Sequence, residues 1–259
     1  MKDLREKYNP DGSLLRNAQL RMLEILCEFD SICRKHELRY WLSDGTLLGA
    51  VRHKGFIPWD DDVDVMMPVN DYKKFLKIAR KELPEHLCLQ NRKTEKNFIN
   101  NFTKIRDRKS FVHEQQHMTG RYAERGLFID IFPMRKTCRY FNQLAGKIHY
   151  RCYILSMQDE RHHRKSLLVS WMLFNILIPL LNMLTPFFRD GKVRHSYGGC
   201  FYEEWDEETI FPLTTIQFEE KEFLCPRDCD TYLKAQYNNY MEIPKNIEHH
   251  IKEGQIEIW

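Results

Sequence analysis

Apolar side chains recur at intervals of three and four through residues 13–38, where Leu20, Leu23, Leu26 and Cys27 line up beside Ile25. That spacing predicts an amphipathic helix. A short apolar-aromatic run at 40–42 predicts a first strand, residues 46–52 a short helix, and 63–67 a second strand. Pro68 is expected to end that strand, and Asn70 to cap a helix over 71–83. Residues 88–90, 102–106 and 111–113 are short strand candidates, and 127–132 is a stronger one. The pattern changes in kind at 167–188, LLVSWMLFNILIPLLNMLTPFF, which is strongly apolar but interrupted by Ser170, Asn175, Pro179 and Asn182. Length alone permits a spanning helix. The prolines and asparagines, with no second span, favour a helical hairpin lying in a membrane surface, with a buried core or dimer contact as the alternative. The basic run 161–165 and Arg189, Lys192 and Arg194 frame the segment and suit anionic lipid. Beyond it, 203–208 reads as a solvated acidic patch, and the tail from Phe211 to Trp259 as mixed loops and short helices that close the domain. The expected fold class is α/β (α+β), a small mixed sheet flanked by helices with an inserted apolar helical region. Its divisions are 1–150 as a catalytic core, 151–200 as the insertion and 201–259 as a closing region of the same domain.

The densest chemistry lies in residues 41–67, WLSDGTLLGAVRHKGFIPWDDDVDVMM. A small-residue turn, Gly45-Thr46, stands between a strand and a helix, and four aspartates follow at Asp60, Asp61, Asp62 and Asp64. On a strand side chains alternate, so Asp60, Asp62 and Asp64 are expected on one face. Carboxylates this close raise one another's pKa unless a cation neutralises them, and Mg²⁺ or Mn²⁺ is the natural hard partner. A solvated acidic loop has the same composition. Three features favour the metal site. Val63, Val65, Met66 and Met67 place the last acids on a buried strand; Gly45-Thr46 offers backbone N–H groups at a helix start; and Arg52, His53 and Lys54 add cations that suit phosphate. The segment therefore reads as a metal-dependent phosphoryl- or nucleotidyl-transfer site. Asp130, a lone acid inside the apolar run at 127–132, is costly to bury unless paired or metal-bound. It fits a third carboxylate on a neighbouring strand, with a salt bridge to Arg106 or Arg135 as the alternative. Lys104 and Arg106 alternate along FTKIRD and are expected to face a diphosphate, unless they line an ordinary surface strand.

These residues resemble the signature of the LicD family, cytoplasmic phosphotransferases whose members use CDP-choline to decorate bacterial surface glycans and whose core is shared with fukutin-related protein. Residues 15–42 resemble the family's opening helix and strand, and 126–133 (GLFIDIFP) its second block. Phe218-Glu219, Phe223, Pro226, Tyr232-Leu233, Tyr237, Tyr240-Met241 and Pro244 resemble its closing block. The resemblance implies a nucleotidyltransferase-like fold and the transfer of a phospho-alcohol, phosphocholine first, from a CDP-alcohol donor to a hydroxyl of a glycan or a lipid-linked glycan, with release of CMP. It implies that Asp62, Asp64 and Asp130 hold the metal and that Asp130 or Asp60 takes the acceptor's proton. Asp44, Gly45, Thr46, Arg52, Lys54, Lys104 and Arg106 are then the donor and phosphate contacts. Trp41, Trp59 and Tyr40 are candidates for a trimethylammonium pocket, although core packing explains them equally well. CDP-ribitol or CDP-glycerol donors, nucleotidyl transfer, and a silent membrane-surface scaffold are the competing readings.

Composition adds little field. Forty basic and 37 acidic residues leave a net charge of +3 over 259 residues, so nothing argues for a nucleic-acid partner. The opening MKDLREKYNP is charged and does not read as a signal peptide. Eight cysteines without regular spacing read as free thiols in a reducing cytoplasm, with peripheral docking at the inner membrane face. His195, Cys200, Cys225 and Cys229 are a weak zinc set, because Cys225 and Cys229 are spaced more widely than C-x2-C; buried thiols are the simpler reading.

Overall fold

The computed structural model describes residues 2–113, 121–244 and 256–259. Helix α1 (Lys2–Tyr8) precedes the long α2 (Leu14–Lys35), whose first turn is capped by Ser13 Oγ accepting from Arg16 N–H at 3.1 Å. Then come β1 (Trp41–Leu42), α3 (Asp44–His53), β2 (Asp64–Pro68), α4 (Val69–Glu82), β3 (Leu87–Gln90), β4 (Thr103–Asp107), β5 (Ser110–Val112) and β6 (Phe128–Lys136). Helices α5 (Arg139–Ser156), α6 (Glu160–Met172) and α7 (Ile178–Phe188) follow, the last two joined by a π-helical turn at Leu173–Leu177. The chain continues through β7 (Val193–His195), α8 (Glu207–Ile210), β8 (Thr214–Phe218), β9 (Lys221–Cys225) and α9 (Cys229–Tyr237) to β10 (Ile256–Ile258).

Six strands form one mixed sheet among the described residues, in the order β1-β2-β6-β4-β3, with β7 paired to the far end of β6. Strands β2 and β6 are parallel and the other pairs antiparallel. Helices α2 and α4 pack against the central strands, and Phe29, Phe75, Val65, Ile105, Ile129 and Ile131 are fully enclosed between them. Central β6 is apolar at nearly every position, as a strand covered on both faces must be. Asp130 is the exception within 128–134, and Arg135 and Lys136 end the strand where burial falls off.

Several expected boundaries shift. Strand β2 begins at Asp64, so Asp60, Asp61 and Asp62 lie in the segment leading into it rather than on one strand face. Pro68 closes β2 without leaving it and itself precedes α4, so Asn70 is not the cap. The stretch 167–188 is not a hairpin: it belongs to one continuous helix, Glu160–Phe188. The π turn explains how. Ile178 N–H bonds back to Leu173 O, five residues earlier, and this wider turn falls where Pro179 would otherwise interrupt the ladder. The hairpin is instead the α5–α6 pair, turning at 157–159. The closing region contains a β-hairpin, β8–β9, where loops and short helices were expected; residues 245–255 of the tail lie outside the described residues. The 203–208 patch is largely ion-paired: Glu204 holds the enclosed Arg194 at 2.6 Å, Asp206 meets Lys192 and Glu207 meets Lys136.

Candidate active site

The sheet register assembles the site. Asp64 and Asp130 are direct partners on the parallel strands β2 and β6, and Lys104 on β4 is the next partner of Asp130. Partners in register project to the same face, so two carboxylates and an ammonium stand in one row. Asp64 is 9% exposed and Asp130 8%. Lys104 Nζ sits 2.8 and 2.9 Å from the two oxygens of Asp130 and 3.3 Å from the centre of the Phe128 ring. The salt bridge weighed for Asp130 is thus present, with Lys104 rather than Arg106 or Arg135.

The β1–α3 junction forms the second wall. Asp64 is bracketed there: its carbonyl accepts from Ser43 N–H at 3.1 Å, and its N–H donates to Thr46 Oγ1 at 2.8 Å. Asp44 adopts a left-handed backbone (φ 48°) and accepts from Gln236 Nε2 of α9 at 2.7 Å. At Gly45 any Cβ would stand 2.5 Å from Asp60 Oδ2, so the missing side chain is what lets that carboxylate lie against the first turn of α3. Carboxylate oxygens of Asp60, Asp61 and Asp62 fall within 4.8 Å of one another, the one such His/Cys/Asp/Glu set of three or more among the described residues.

The electrostatics follow. Burial, then Asp62, Asp44, Asp130 and Asp60, pushes Asp64 well above the usual carboxylate range. Burial with Asp62 and Asp61 lifts Asp60 to about 8, and burial with Glu203 and Asp62 lifts Asp44 to about 7 against hydrogen bonds from Ser43 and Gln236. Asp130 is raised by burial and drawn back by Lys104. Carboxylates crowded this tightly are an all-oxygen set short of positive charge, and they fit a hard divalent cation.

Other expected members also have structural ties, and of these Arg52 still feels Asp60 and Arg106 still feels Asp130. Arg106 is 1% exposed and donates to Gln90 Oε1 and Gly126 O, both at 2.7 Å, which ties β3, β4 and the approach to β6, and its charge helps to draw Asp130 back down. Arg52 is buried and donates to Tyr240 O at 2.9 Å and Glu242 O at 3.3 Å, fastening α3 to the chain after α9. Lys54 is the exposed left-handed residue that ends α3, and its carbonyl is held by Glu219 N–H. Tyr40 and Trp41 are enclosed, their polar atoms taken by Asp30 and Tyr232. Of the three candidate aromatics, only Trp59 keeps part of its surface outside, edge-on to Tyr8 and His53. His195 stacks on Phe201, Cys200 faces Gly146 O, and Cys225 faces Thr214 and Cys229, so the zinc set is not gathered.

Sequence reasoning gave no role to the groups that α9 brings in. Tyr237 feels Asp44, Asp64, Asp60 and Asp62, which together with burial push its hydroxyl upward. Tyr232 OH is a buried hub, accepting from Trp41 Nε1 at 3.0 Å, meeting Ser43 Oγ at 3.0 Å and donating to Met66 Sδ at 3.0 Å. Only the resemblance of the closing block pointed to these tyrosines, since Tyr232 lies 166 to 191 residues from its partners in sequence.

A small mixed sheet carrying carboxylates on adjacent strands, closed by a helix start, is the architecture of a nucleotidyltransferase-like fold. Residues 37–154 match the LicD/FKTN/FKRP nucleotidyltransferase domain, so the chain carries a LicD-family domain. It is 28% identical over 270 aligned positions to the lipopolysaccharide cholinephosphotransferase LicD of Haemophilus influenzae, covering 93% of this chain and 98% of that one. It is also 56% identical over 34 residues to the human ribitol 5-phosphate transferase FKRP, 13% of this chain and 7% of that protein.

Proposed function

We propose that this protein transfers a phospho-alcohol, phosphocholine as the leading candidate, from a CDP-alcohol to a hydroxyl of a cell-surface glycan or its lipid-linked precursor. The observation that carries this reading is the row Asp64–Asp130–Lys104 across three strands, flanked by Asp60, Asp61 and Asp62. The near full-length similarity to the Haemophilus enzyme supports the substrate class. In the reaction the bond between the alcohol-bearing phosphorus and the bridging oxygen of the diphosphate breaks and CMP leaves with that electron pair. The acceptor oxygen forms the new bond to the same phosphorus and gives up its proton.

Asp62, Asp64 and Asp130 are the residues to hold Mg²⁺ or Mn²⁺. When bound, such an ion neutralises diphosphate charge as the leaving oxygen becomes negative. Lys104 fixes the rotamer of Asp130 through both carboxylate oxygens. Asp60, half-buried against Gly45, is the carboxylate placed to take the acceptor's proton. Gln236 of α9 orients Asp44 through its Nε2 donor, and Tyr237 stands near the acids on the same helix.

The test is CMP release by purified protein with Mg²⁺, comparing CDP-choline, CDP-ribitol and CDP-glycerol, with EDTA and Asp64→Ala as controls. Turnover of CDP-choline that disappears in both controls supports the reading. Preference for CDP-ribitol would favour the second reading, which the local similarity to FKRP motivates. Absence of turnover with every donor, acceptor extract included, sinks the CDP-alcohol reading.

A further inference from the structure

The helical arm formed by α5, α6 and α7 carries a large apolar face that no other element among the described residues covers. Leu168, Met172, Ile176, Leu180, Met183 and Phe187 follow one another at steps of three and four along its outer side, Met183 71% and Phe187 80% exposed. Trp171 and Phe188 on the same helix, and Tyr140 and Tyr150 on α5, are exposed as well. Soluble monomers seldom leave a contiguous apolar patch of more than a few hundred Å².

Two features of the arm choose the occupant. The first is charge. Residues 139–189 hold seven Lys and Arg against two Asp and Glu, and 166–188 hold none of either sign. All seven cations are exposed, and six of them lie toward the two ends: Arg151, Arg161, Arg164 and Lys165 near the α5–α6 turn, and Arg139 with Arg189 at the other, where Phe141 and Phe188 rings meet at 5.6 Å; Lys147 lies midway along α5. An apolar strip with aromatic side chains between basic ends matches an anionic bilayer surface, tails beneath the strip and headgroups at its ends. The second is anchorage. Glu160–Phe188 is long and apolar enough to span a membrane, but its inner side is fastened to the sheet. Arg135 of β6 donates to Asn182 Oδ1 at 2.5 Å, and Thr185 Oγ1 lies 2.8 Å from Tyr197 OH, which also accepts from Cys138 N–H. A spanning helix would carry the Arg135 guanidinium into hydrocarbon, which is very costly.

We infer that the outer face of α6–α7 seats this protein on an anionic lipid bilayer, lying in the interface and not crossing it. This holds whatever donor the active site takes.

The test is flotation of the full-length protein with vesicles of phosphatidylcholine alone or mixed with phosphatidylglycerol. Binding to the mixed vesicles, weaker by about tenfold in high salt or on phosphatidylcholine alone, is expected. Leu180→Gln with Phe187→Gln, two exposed positions, should lower binding about tenfold with an unchanged melting temperature. Arg164→Gln with Lys165→Gln should reduce only the anionic-lipid component. Three outcomes overturn the proposal: no flotation with either vesicle; a concentration-dependent dimer that the Leu180/Phe187 variant dissociates without any lipid binding, which assigns the face to a second copy; or resistance to alkaline carbonate extraction, which assigns a spanning helix.

Discussion

At the scale of single residues, the site depends on one missing side chain and on charges that have nowhere to go. A Cβ on Gly45 would press on the Asp60 carboxylate at 2.5 Å, a flexible group that can swing away. Gly45→Ala is therefore expected to leave the melting temperature nearly unchanged while lowering kcat/KM by about a hundredfold, the usual effect of misplacing a reacting group by about 1 Å. Equal losses of stability and activity would show instead that Gly45 serves the fold. The acids also set a pH dependence. Burial and repulsion hold Asp60 near 8 and Asp44 near 7, whereas an unfolded aspartate titrates near 3.9. A carboxyl raised in the folded state stabilises it fully below the unfolded pKa and loses that contribution as pH rises through the folded one. In EDTA the protein should thus lose thermal stability from about pH 5 to about pH 8. Mg²⁺ or Mn²⁺ at about 100 times Kd would return about 2.7 kcal/mol, several degrees at pH 8 and less at pH 5. Asp64→Asn should raise the metal-free melting temperature and erase the metal response. A metal-free protein that gains stability between pH 5 and 8 would contradict the crowding of these carboxylates.

At the scale of elements, the acid segment is held by pieces far apart in sequence. Glu219, at the β8–β9 turn with φ 56°, takes Arg16 of α2 through both oxygens at 2.6 and 3.1 Å and accepts from Phe56 N–H at 3.1 Å. Gly55 permits this, since a Cβ there would stand 2.4 Å from Glu219 Oε1. Gln19 of α2 adds Nε2 donors to Ile57 O and Asp60 O. Glu219→Ala leaves a buried guanidinium without its partner, so a loss of about 3 kcal/mol in urea unfolding is expected, with a fall in kcat that Glu219→Gln partly restores. If kcat holds while stability falls, the clamp serves only the fold. Much of the framework around it was legible in sequence. Period-two and period-3.6 patterns placed α2, α3, β2, α4 and β6 within a few residues, and the lone acid in β6 pointed to Asp130. What stayed hidden was pairing. Nothing local tells Arg106 that it will donate to Gln90 and Gly126, or Arg52 that it will donate to the chain near Tyr240. The three aspartates before Asp64 look like strand residues because Val63 alternates with them, yet ladder pairing starts only at Asp64. β8 and β9 carry polar outer faces, which hid them among loops.

At the scale of the molecule the described residues form two cores rather than one. The main core joins the sheet to α2, α4 and the β8–β9 hairpin, while Ala145, Leu173, Leu181 and Tyr197 form a small separate cluster under the arm. Arg135 of β6 ties to Asn182 across the two, and Tyr197, two residues beyond β7, holds Thr185 and the Cys138 amide at the start of α5. Few buried apolar contacts and a largely exposed helix mark a unit that opens at lower free energy than the sheet. Asp130 and Arg135 lie five residues apart on β6, about 16 Å along the strand, so the arm is fastened at the opposite end of that strand from the acids. Loosening the arm should therefore leave the chemistry in place. Tyr197→Phe with Asn182→Ala removes the three ties at a cost of about 1 kcal/mol each. Hydrogen exchange should then accelerate by roughly tenfold or more across α6 and α7, with β2 and β6 unchanged. CMP release from a soluble donor and acceptor should change by less than about threefold, because the acids keep their register. Acceleration spreading equally into β2 and β6 would mean that arm and sheet unfold as one, and that the acids depend on the arm for their alignment.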